Sequence, residues 1–224
     1  MFTPKVIAKI KSNYPNKFGT PRQSGLVMDS AYIVFEPDFQ NPDYVRGIED
    51  FSHLWLIWHF DKSFDTKETP TVRPPKLGGN KRVGVFATRS PNRPNPIGLS
   101  LVKLDCVTTF NGSLALKVSG ADLICDTPIL DIKPYLPYVE AIQNADGGFT
   151  KQTSKVRLYV DFPPILQKKV DQIDVQTIIN LLSLDPRPAY QNDPSRVYGM
   201  YYKNYNVKFT VDGDNLTVTD IEDI

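Results

Sequence analysis

Three prolines within six residues limit most strongly what this chain can fold into. In the stretch from Gly84 to Leu104, GVFATRSPNRPNPIGLSLVKL, Pro91, Pro94 and Pro96 each fix φ and remove a backbone donor. Ser90, Arg93 and Asn95 each precede one of them and are driven toward extended conformations. The runs on either side, Gly84 to Thr88 and Leu99 to Leu104, are short, apolar and β-prone. The stretch therefore reads as strand, stiff loop, strand. Such a loop loses little entropy when it orders around a ligand, and its carbonyl oxygens are left available as acceptors. Arg89 and Arg93 add two permanent positive charges. A solvated surface turn fits these residues in isolation. The long ordered pattern around them favours a binding site.

The chain up to about Val118 is almost all strand pattern, with no helix-length periodicity. Val6 to Ile10 and Ala31 to Phe35 read as strands, and the aromatic and β-branched run Leu54 to Phe60 as a central one. Val102 to Phe110 and Ser113 to Val118 flank Asn111-Gly112, a strong hairpin signal, with Leu114, Leu116 and Val118 alternating inward. So many strands without helices favour a closed or nearly closed barrel over a doubly wound sheet. Ala145 to Lys155, ADGGFTKQTSK, is a polar linker and marks a domain boundary. Beyond it, Val156 to Phe162 alternates as a strand. Pro164 to Leu184 has helical spacing at Ile165, Val170, Ile173, Ile178, Leu181 and Leu182, with a break near Asp174. Tyr205 to Val211 turns at Asp212-Gly213-Asp214-Asn215 and returns through Leu216 and Val218 as a hairpin. The expected architecture is mainly β with a smaller α+β part: an N-terminal single-sheet β-barrel over residues 1–146 and a C-terminal α+β module over residues 147–224.

A hydrophobic content of 41% over 224 residues suits a real core. No run approaches the roughly 18 apolar residues of a membrane span. The opening MFTPKVIAKIKS lacks the apolar segment of a secretory signal. Cys106 and Cys125 lie far apart and form no C-x-x-C, so both read as reduced thiols of a cytoplasmic protein. The net charge of +1 hides a segregation: Thr69 to Leu104 holds seven basic residues and no acid, and Phe209 to Ile224 holds five acids and no base. A local anion-binding surface follows from this, not a wholly basic nucleic-acid protein.

Several residues could carry chemistry. His53 and His59, the two histidines, are six apart and share one face of a regular strand. No third ligand is spaced to make a metal site of them, so a hydrogen-bonded core or site-wall role is expected. In Ala121 to Tyr138, ADLICDTPILDIKPYLPY, Asp122, Asp126 and Asp131 stand within ten residues, with Lys133 behind them. Carboxylates so spaced can hold sugar hydroxyls or a sulfonium or ammonium, or move a proton, and they can equally be turn formers. Absent are a G-x-G-x-x-G after a strand, a G-x-x-x-x-G-K-[ST], a G-x-S-x-G and an H-E-x-x-H. Dinucleotide, P-loop, hydrolase-type and zinc-hydrolase chemistry lose weight accordingly.

FATRSPNRPNPIGLSLVKL followed by DLICDTPILDIKPYLPY resembles the TsaA-like family, whose bacterial members methylate threonylcarbamoyl-adenosine in tRNA with S-adenosylmethionine. The resemblance runs from about Lys5 to Asn144 and continues more weakly through LDPRPAY and RVYGMYY. It implies a single β-barrel unrelated to Rossmann-type methyltransferases. It also implies cofactor contacts from Pro21, Arg22 and Gln23, from His59 and Phe60, from Arg89, from Leu99, and from the stretch Asp122, Leu123, Ile124, Cys125 and Asp126. One departure stands out. The family usually reads D-L-[ILV]-D-G-T-P, and here Cys125-Asp126 replaces the Asp-Gly pair. Cys125 cannot do the work of a carboxylate; Asp126, one residue displaced, is the candidate to do it.

The acceptor in this reading is an exocyclic amine that must shed a proton, and a carboxylate within hydrogen-bond reach would help it do so. Asp131 is the expected catalytic group, with Lys133 and Tyr135 shaping the acceptor side. The tRNA partner implies phosphate contacts from Lys76, Lys81, Arg82 and Arg93, and base stacking near Tyr201-Tyr202. The resemblance implies a homodimer with the site near its interface; the residues themselves lead to an expectation of no membrane and no metal. Two alternatives stay open: a non-catalytic S-adenosylmethionine- and RNA-binding module, or a barrel methyltransferase acting on another nucleoside or a small molecule.

Overall fold

The computed structural model describes residues 3–62, 69–74, 77, 81–152, 157–187, 191 and 193–224. It divides into two compact units. The first comprises Met1–Asn13, Arg22–Val72 and Val83–Asp146; the second comprises Tyr14–Pro21, Arg73–Arg82 and Gly147–Ile224. The molecule is mainly β with few and short helices. Among the described residues, no helix is long and apolar enough to cross a membrane.

The first unit contains β1 (Ala8–Lys11), β2 (Ser30–Phe35), β3 (His53–His59), β4 (Thr71–Val72), β5 (Val83–Gly84), β6 (Ile97–Phe110), β7 (Ser113–Ser119), β8 (Pro128–Pro134) and the single-turn helix α1 (Pro137–Glu140). Six of its strands pair in the order β1-β2-β7-β6-β3-β8, and β8 pairs back onto β1, so the ladder returns on itself. Alternation drives this. On β3, Leu54, Leu56 and Trp58 point inward, and His53, Trp55, Ile57 and His59 point outward. The inward set joins Ile10, Ile33, Val102, Leu104, Leu116, Val118 and Ile129 in one core. As expected for a central strand, β3 pairs on both edges. Asn111 and Gly112 have φ of 49° and 83°, the pair of left-handed residues that a tight hairpin needs.

The strand expected over Gly84 to Thr88 is mostly a turn. Only Val83 and Gly84 pair, with β4. Val85–Ala87 is one 3-10 turn, because Thr88 donates both its amide (3.1 Å) and its hydroxyl (2.8 Å) to the Val85 carbonyl.

Two slips in register matter. Between β6 and β7 the pairing moves from Leu104↔Val118 to Cys106↔Lys117, so Asp105 is extra. Between β3 and β8 it moves from Ile57↔Asp131 to Trp58↔Ile129, so Leu130 is extra. A regular strand would give Ile129 and Asp131 the same face. The bulge at Leu130 sends Ile129 into the core, where it is fully buried, and turns Asp131 outward.

The second unit has β9 (Tyr159–Asp161), α2 (Pro164–Gln167), α3 (Gln172–Ser183), β10 (Tyr198–Tyr202), β11 (Tyr205–Asp212) and β12 (Asn215–Asp223). Its sheet runs β10-β11-β12-β9, with β9 parallel to β12. The expected hairpin is β11–β12. The expected helix breaks earlier than Asp174, at Asp171, whose ψ of 135° is extended. Ile165 and Ile173 are exposed, so the buried stripe reduces to Val170, Ile178, Leu181 and Leu182.

Candidate active site

The proline loop folds onto its own arginine. Arg93 Nη1 donates to the carbonyls of Thr88 (3.1 Å) and Ser90 (3.4 Å), and the Arg93 amide donates to Pro91 O (2.8 Å). Carbonyls that the prolines leave without amide partners are thus taken internally, a correction to the expectation that they stand ready for a ligand. The loop is seated by Phe60, whose amide donates 2.9 Å to Pro96 O. Arg89, by contrast, is exposed and points elsewhere.

Arg89 Nη1 donates 2.5 Å to Gln23 Oε1. It also acts electrostatically on Asp122. Asp122 Oδ1 accepts from the Ser100 hydroxyl at 2.5 Å. Burial pushes the Asp122 carboxyl above the ordinary carboxylate range. The Ser100 bond, backbone amides including that of Ser24, and the Arg89 charge oppose that push. Ser24 also accepts from the Leu101 amide at 3.1 Å. Three segments far apart in sequence, around Gln23, Arg89 and Asp122, therefore meet beside β6. Leu99 projects outward from that strand with 48% of its surface exposed. Pro21 is buried and groups with the second unit.

Across the outer face of the ring, Leu99 pairs with Ile57, and Ile57 pairs with Asp131. Two ladder spacings put Leu99 and Asp131 about 10 Å apart on one surface. Asp131 Oδ2 is held by Lys133 Nζ at 2.8 Å, and Oδ1 accepts the Ile132 amide at 2.9 Å. Tyr135 sits edge-on to Trp55 (ring centroids 6.1 Å) and to His53 (6.4 Å). Trp55 Nε1 donates 2.7 Å to Glu140 Oε1, tying α1 to this wall. Both histidines line the outer face, half-buried, and His59 pairs with Ile97 at the strand end. Among the described residues no cluster could hold a metal ion.

The Asp122–Thr127 loop is strapped to β1. Asp126 N donates to Ile10 O (2.7 Å), Ile10 N to Thr127 O (3.2 Å) and Ser12 Oγ to Leu123 O (2.7 Å). Asp126 has φ of 68°, a conformation that favours glycine, which is what the family pattern has at this position. Its carboxylate pairs with Lys11 Nζ at 2.5 Å, which holds it below the ordinary range. Lys62 Nζ donates to the Cys125 carbonyl.

Sequence reading passed over Ser100, Trp58, Ser24, Lys11 and Lys62. For Ser100 a signal existed: a polar residue at an inward position of an alternating strand. Nothing local marked the others. Of the RNA-facing expectations, Lys76 lies outside the described residues, and Lys81 and Arg82 are exposed. Tyr202 is 1% exposed and cannot stack on a base, leaving Tyr201 at 36%.

Comparison with known proteins matches this architecture. The family model described as the tRNA-methyltransferase O N-terminal domain matches residues 9–141, and the TrmO C-terminal domain model matches residues 155–224. A tRNA (adenine(37)-N6)-methyltransferase of Escherichia coli (strain K12) is 39% identical over 214 residues, 92% of this chain and 91% of that protein. A putative S-adenosylmethionine-dependent methyltransferase, RcsF, of Pseudomonas aeruginosa is 38% identical over 204 residues, 87% of this chain and 86% of that protein. A crystal structure of TrmO from Pseudomonas aeruginosa superposes with a TM-score of 0.79 at 28% identity, over 99% of both chains. The chain thus belongs, over both of its halves, to the TrmO family of tRNA methyltransferases.

Proposed function

We propose that the protein transfers a methyl group from S-adenosylmethionine to the exocyclic amine of threonylcarbamoyl-adenosine, beside the anticodon of tRNA. The observation that carries this reading is that Gln23 bonds Arg89, whose charge acts on Asp122 beside β6, while the same strand presents Leu99 on the outer surface that also bears Asp131. The donor set fits S-adenosylmethionine. A guanidinium and an amide suit an amino-acid carboxylate; a carboxyl suits ribose hydroxyls or a cation; Leu99, His59 and Phe60 suit the faces of an adenine. When bound, the cofactor supplies a methyl on an activated sulfonium.

The chain's own residues then have distinct tasks. Arg22, Gln23 and Arg89 hold the anionic end, and Leu99 with His59 and Phe60 walls off water. The Asp122–Asp126 loop closes the remaining side with Ile124 and Cys125, while Leu123, expected to touch the cofactor, is buried in the core and anchors the loop from beneath. Asp131 takes the proton from the amine, with Lys133 fixing its orientation and Tyr135 supporting the base. In this reading the closed ring of strands is a TsaA-like barrel spanning residues 1–146, and residues 147–224 form a separate C-terminal domain. Lys81 and Arg82 contact phosphates, and two copies associate near the site as a homodimer in the cytoplasm.

The test is methyl transfer from labelled S-adenosylmethionine to tRNA carrying threonylcarbamoyl-adenosine, with nucleosides resolved by mass spectrometry. Label is expected in the methylated nucleoside. Cofactor binding without label in any nucleoside would move the assignment to a binding module. Asp131→Asn should lower turnover about 10²-fold or more with cofactor affinity unchanged. Undiminished turnover would remove Asp131 from the chemistry.

A further inference from the structure

The inward face of β6 reads Gly98, Ser100, Val102, Leu104, all buried. Ser100 is 1% exposed and stands opposite Leu56 in the ladder. A hydroxyl there is out of reach of water, and leaving it unpaired is unfavourable. It is fully used. Trp58 Nε1 donates 3.0 Å to Ser100 Oγ, and Ser100 Oγ donates 2.5 Å to Asp122 Oδ1. The direction is forced, because an indole N–H can only donate and the hydroxyl proton is left for the carboxylate. Gly98 makes the arrangement possible: a Cβ there would lie 2.2 Å from the Trp58 ring. Phe60 packs on that ring as well, with centroids 4.1 Å apart. Three neighbouring positions on two strands are thus fitted to deliver one hydrogen bond to the first residue of the Asp122–Thr127 loop. An apolar residue at 100 would fill a core as well without needing either partner.

We infer that Ser100, backed by Trp58, is a positioning residue that sets the Asp122 carboxyl for its contact with S-adenosylmethionine. The inference rests on the reading of Asp122 as a cofactor contact. Ser100 and Trp58 are both too buried to touch the ligand and act through Asp122.

The experiment measures S-adenosylmethionine affinity by calorimetry, and kcat and KM with tRNA, for the full chain and for Ser100→Ala, Ser100→Thr and Trp58→Phe. Ser100→Ala is expected to weaken binding about tenfold, roughly 1.4 kcal/mol. KM for the cofactor should rise in step, with kcat little changed. Ser100→Thr keeps the hydroxyl and should recover most of the loss. Trp58→Phe removes the N–H together with part of the ring and should cost about two- to threefold in affinity, roughly 0.5 kcal/mol, with the pH profile shifted in the same direction as in Ser100→Ala. Acidification is the discriminating readout. Without the Ser100 bond, which favours the carboxylate, the pH at which binding fades should move upward, while Arg89, the charged side chain acting on Asp122, is unchanged.

Wild-type affinity and pH profile in Ser100→Ala would overturn the inference, as would an equal loss in Ser100→Thr that tracks lowered stability alone. If Ser100→Ala does not fold, Trp58→Phe carries the decision: full affinity and an unmoved pH profile in it overturn the relay. A wild-type chain that binds no S-adenosylmethionine would overturn the cofactor reading and the inference together.

Discussion

Among the described residues, the buried polar side chains of the first unit are Ser100 and Thr127, whereas the C-terminal unit buries Asp174, Ser183 and Arg187. Their partners differ in kind. Ser100 holds Asp122, and Thr127 Oγ1 donates 2.7 Å to Ile124 O, so both serve the two ends of one loop at the candidate site. In the C-terminal unit each group closes the local fold. Lys203 Nζ reaches Asp174 at 2.6 and 2.8 Å, Arg187 grips Asp185 at 2.8 and 2.9 Å, and Ser183 Oγ donates 2.8 Å to Asn180 O. Lys203 and Asp185 both have φ of 51°, so these ion pairs pin strained turns. One unit buries polarity to orient the loop at its candidate site, and the other buries it to fix its own corners.

That contrast can be broken. The largest expected effect is from Lys203→Met, which leaves the buried Asp174 carboxylate without its cation and should cost about 3 kcal/mol of stability. Cofactor affinity should stay at the wild-type value in the same preparation; a parallel fall would tie the C-terminal unit to the site. Next is Gly98→Ala. The added Cβ must displace the Trp58 ring, an overpacking worth about 2 kcal/mol. Here stability and affinity should fall together, as thermal melts and calorimetry would record, because the same ring serves the core and the relay.

The subtlest effect is in pH. The folded Asp122 carboxyl titrates above its ordinary range because it is buried, so its stabilising contribution is fully present below that range and is lost as pH rises through the raised value. The melting temperature of the wild type relative to Asp122→Asn should therefore be highest in acid and decline as pH rises. A difference that is flat with pH would mean the carboxyl is not buried in solution.

Much of the first unit was legible because its signals are local. Alternation around Leu54 to Trp58 and the Asn111-Gly112 turn each report on a few adjacent residues, and the structure follows them. The segment from Gly84 to Thr88 misled because apolar content says nothing about which backbone groups find strand partners; Thr88 folds it back instead. Asp131 could be named as one of three closely spaced carboxylates, but its outward direction depends on the extra residue at Leu130, and a bulge leaves no mark in hydrophobic period. The Ser100–Asp122 bond joins residues 22 apart, a pairing that no window of sequence reveals. Asp126 was legible only in part. Its left-handed backbone accounts for a glycine pattern, while its pairing with Lys11 needed the fold.

The ring of strands is sealed by its shortest junction in the described pairing: Ala8 with Ile129 and Lys9 with Pro128. Those partners are separated by more than half the chain, so this seam has the highest closure entropy and is expected to form late in folding. The Asp122–Thr127 loop hangs on that seam through Ile10, Lys11 and Ser12. Hydrogen exchange during refolding should find the Ile10 and Asp126 amides protected after those of the β6–β7 hairpin. The Asp122–Thr127 loop would then be the last part of the ring to acquire its shape, and a ligand that grips it would act as a latch, slowing the reopening of the whole ring.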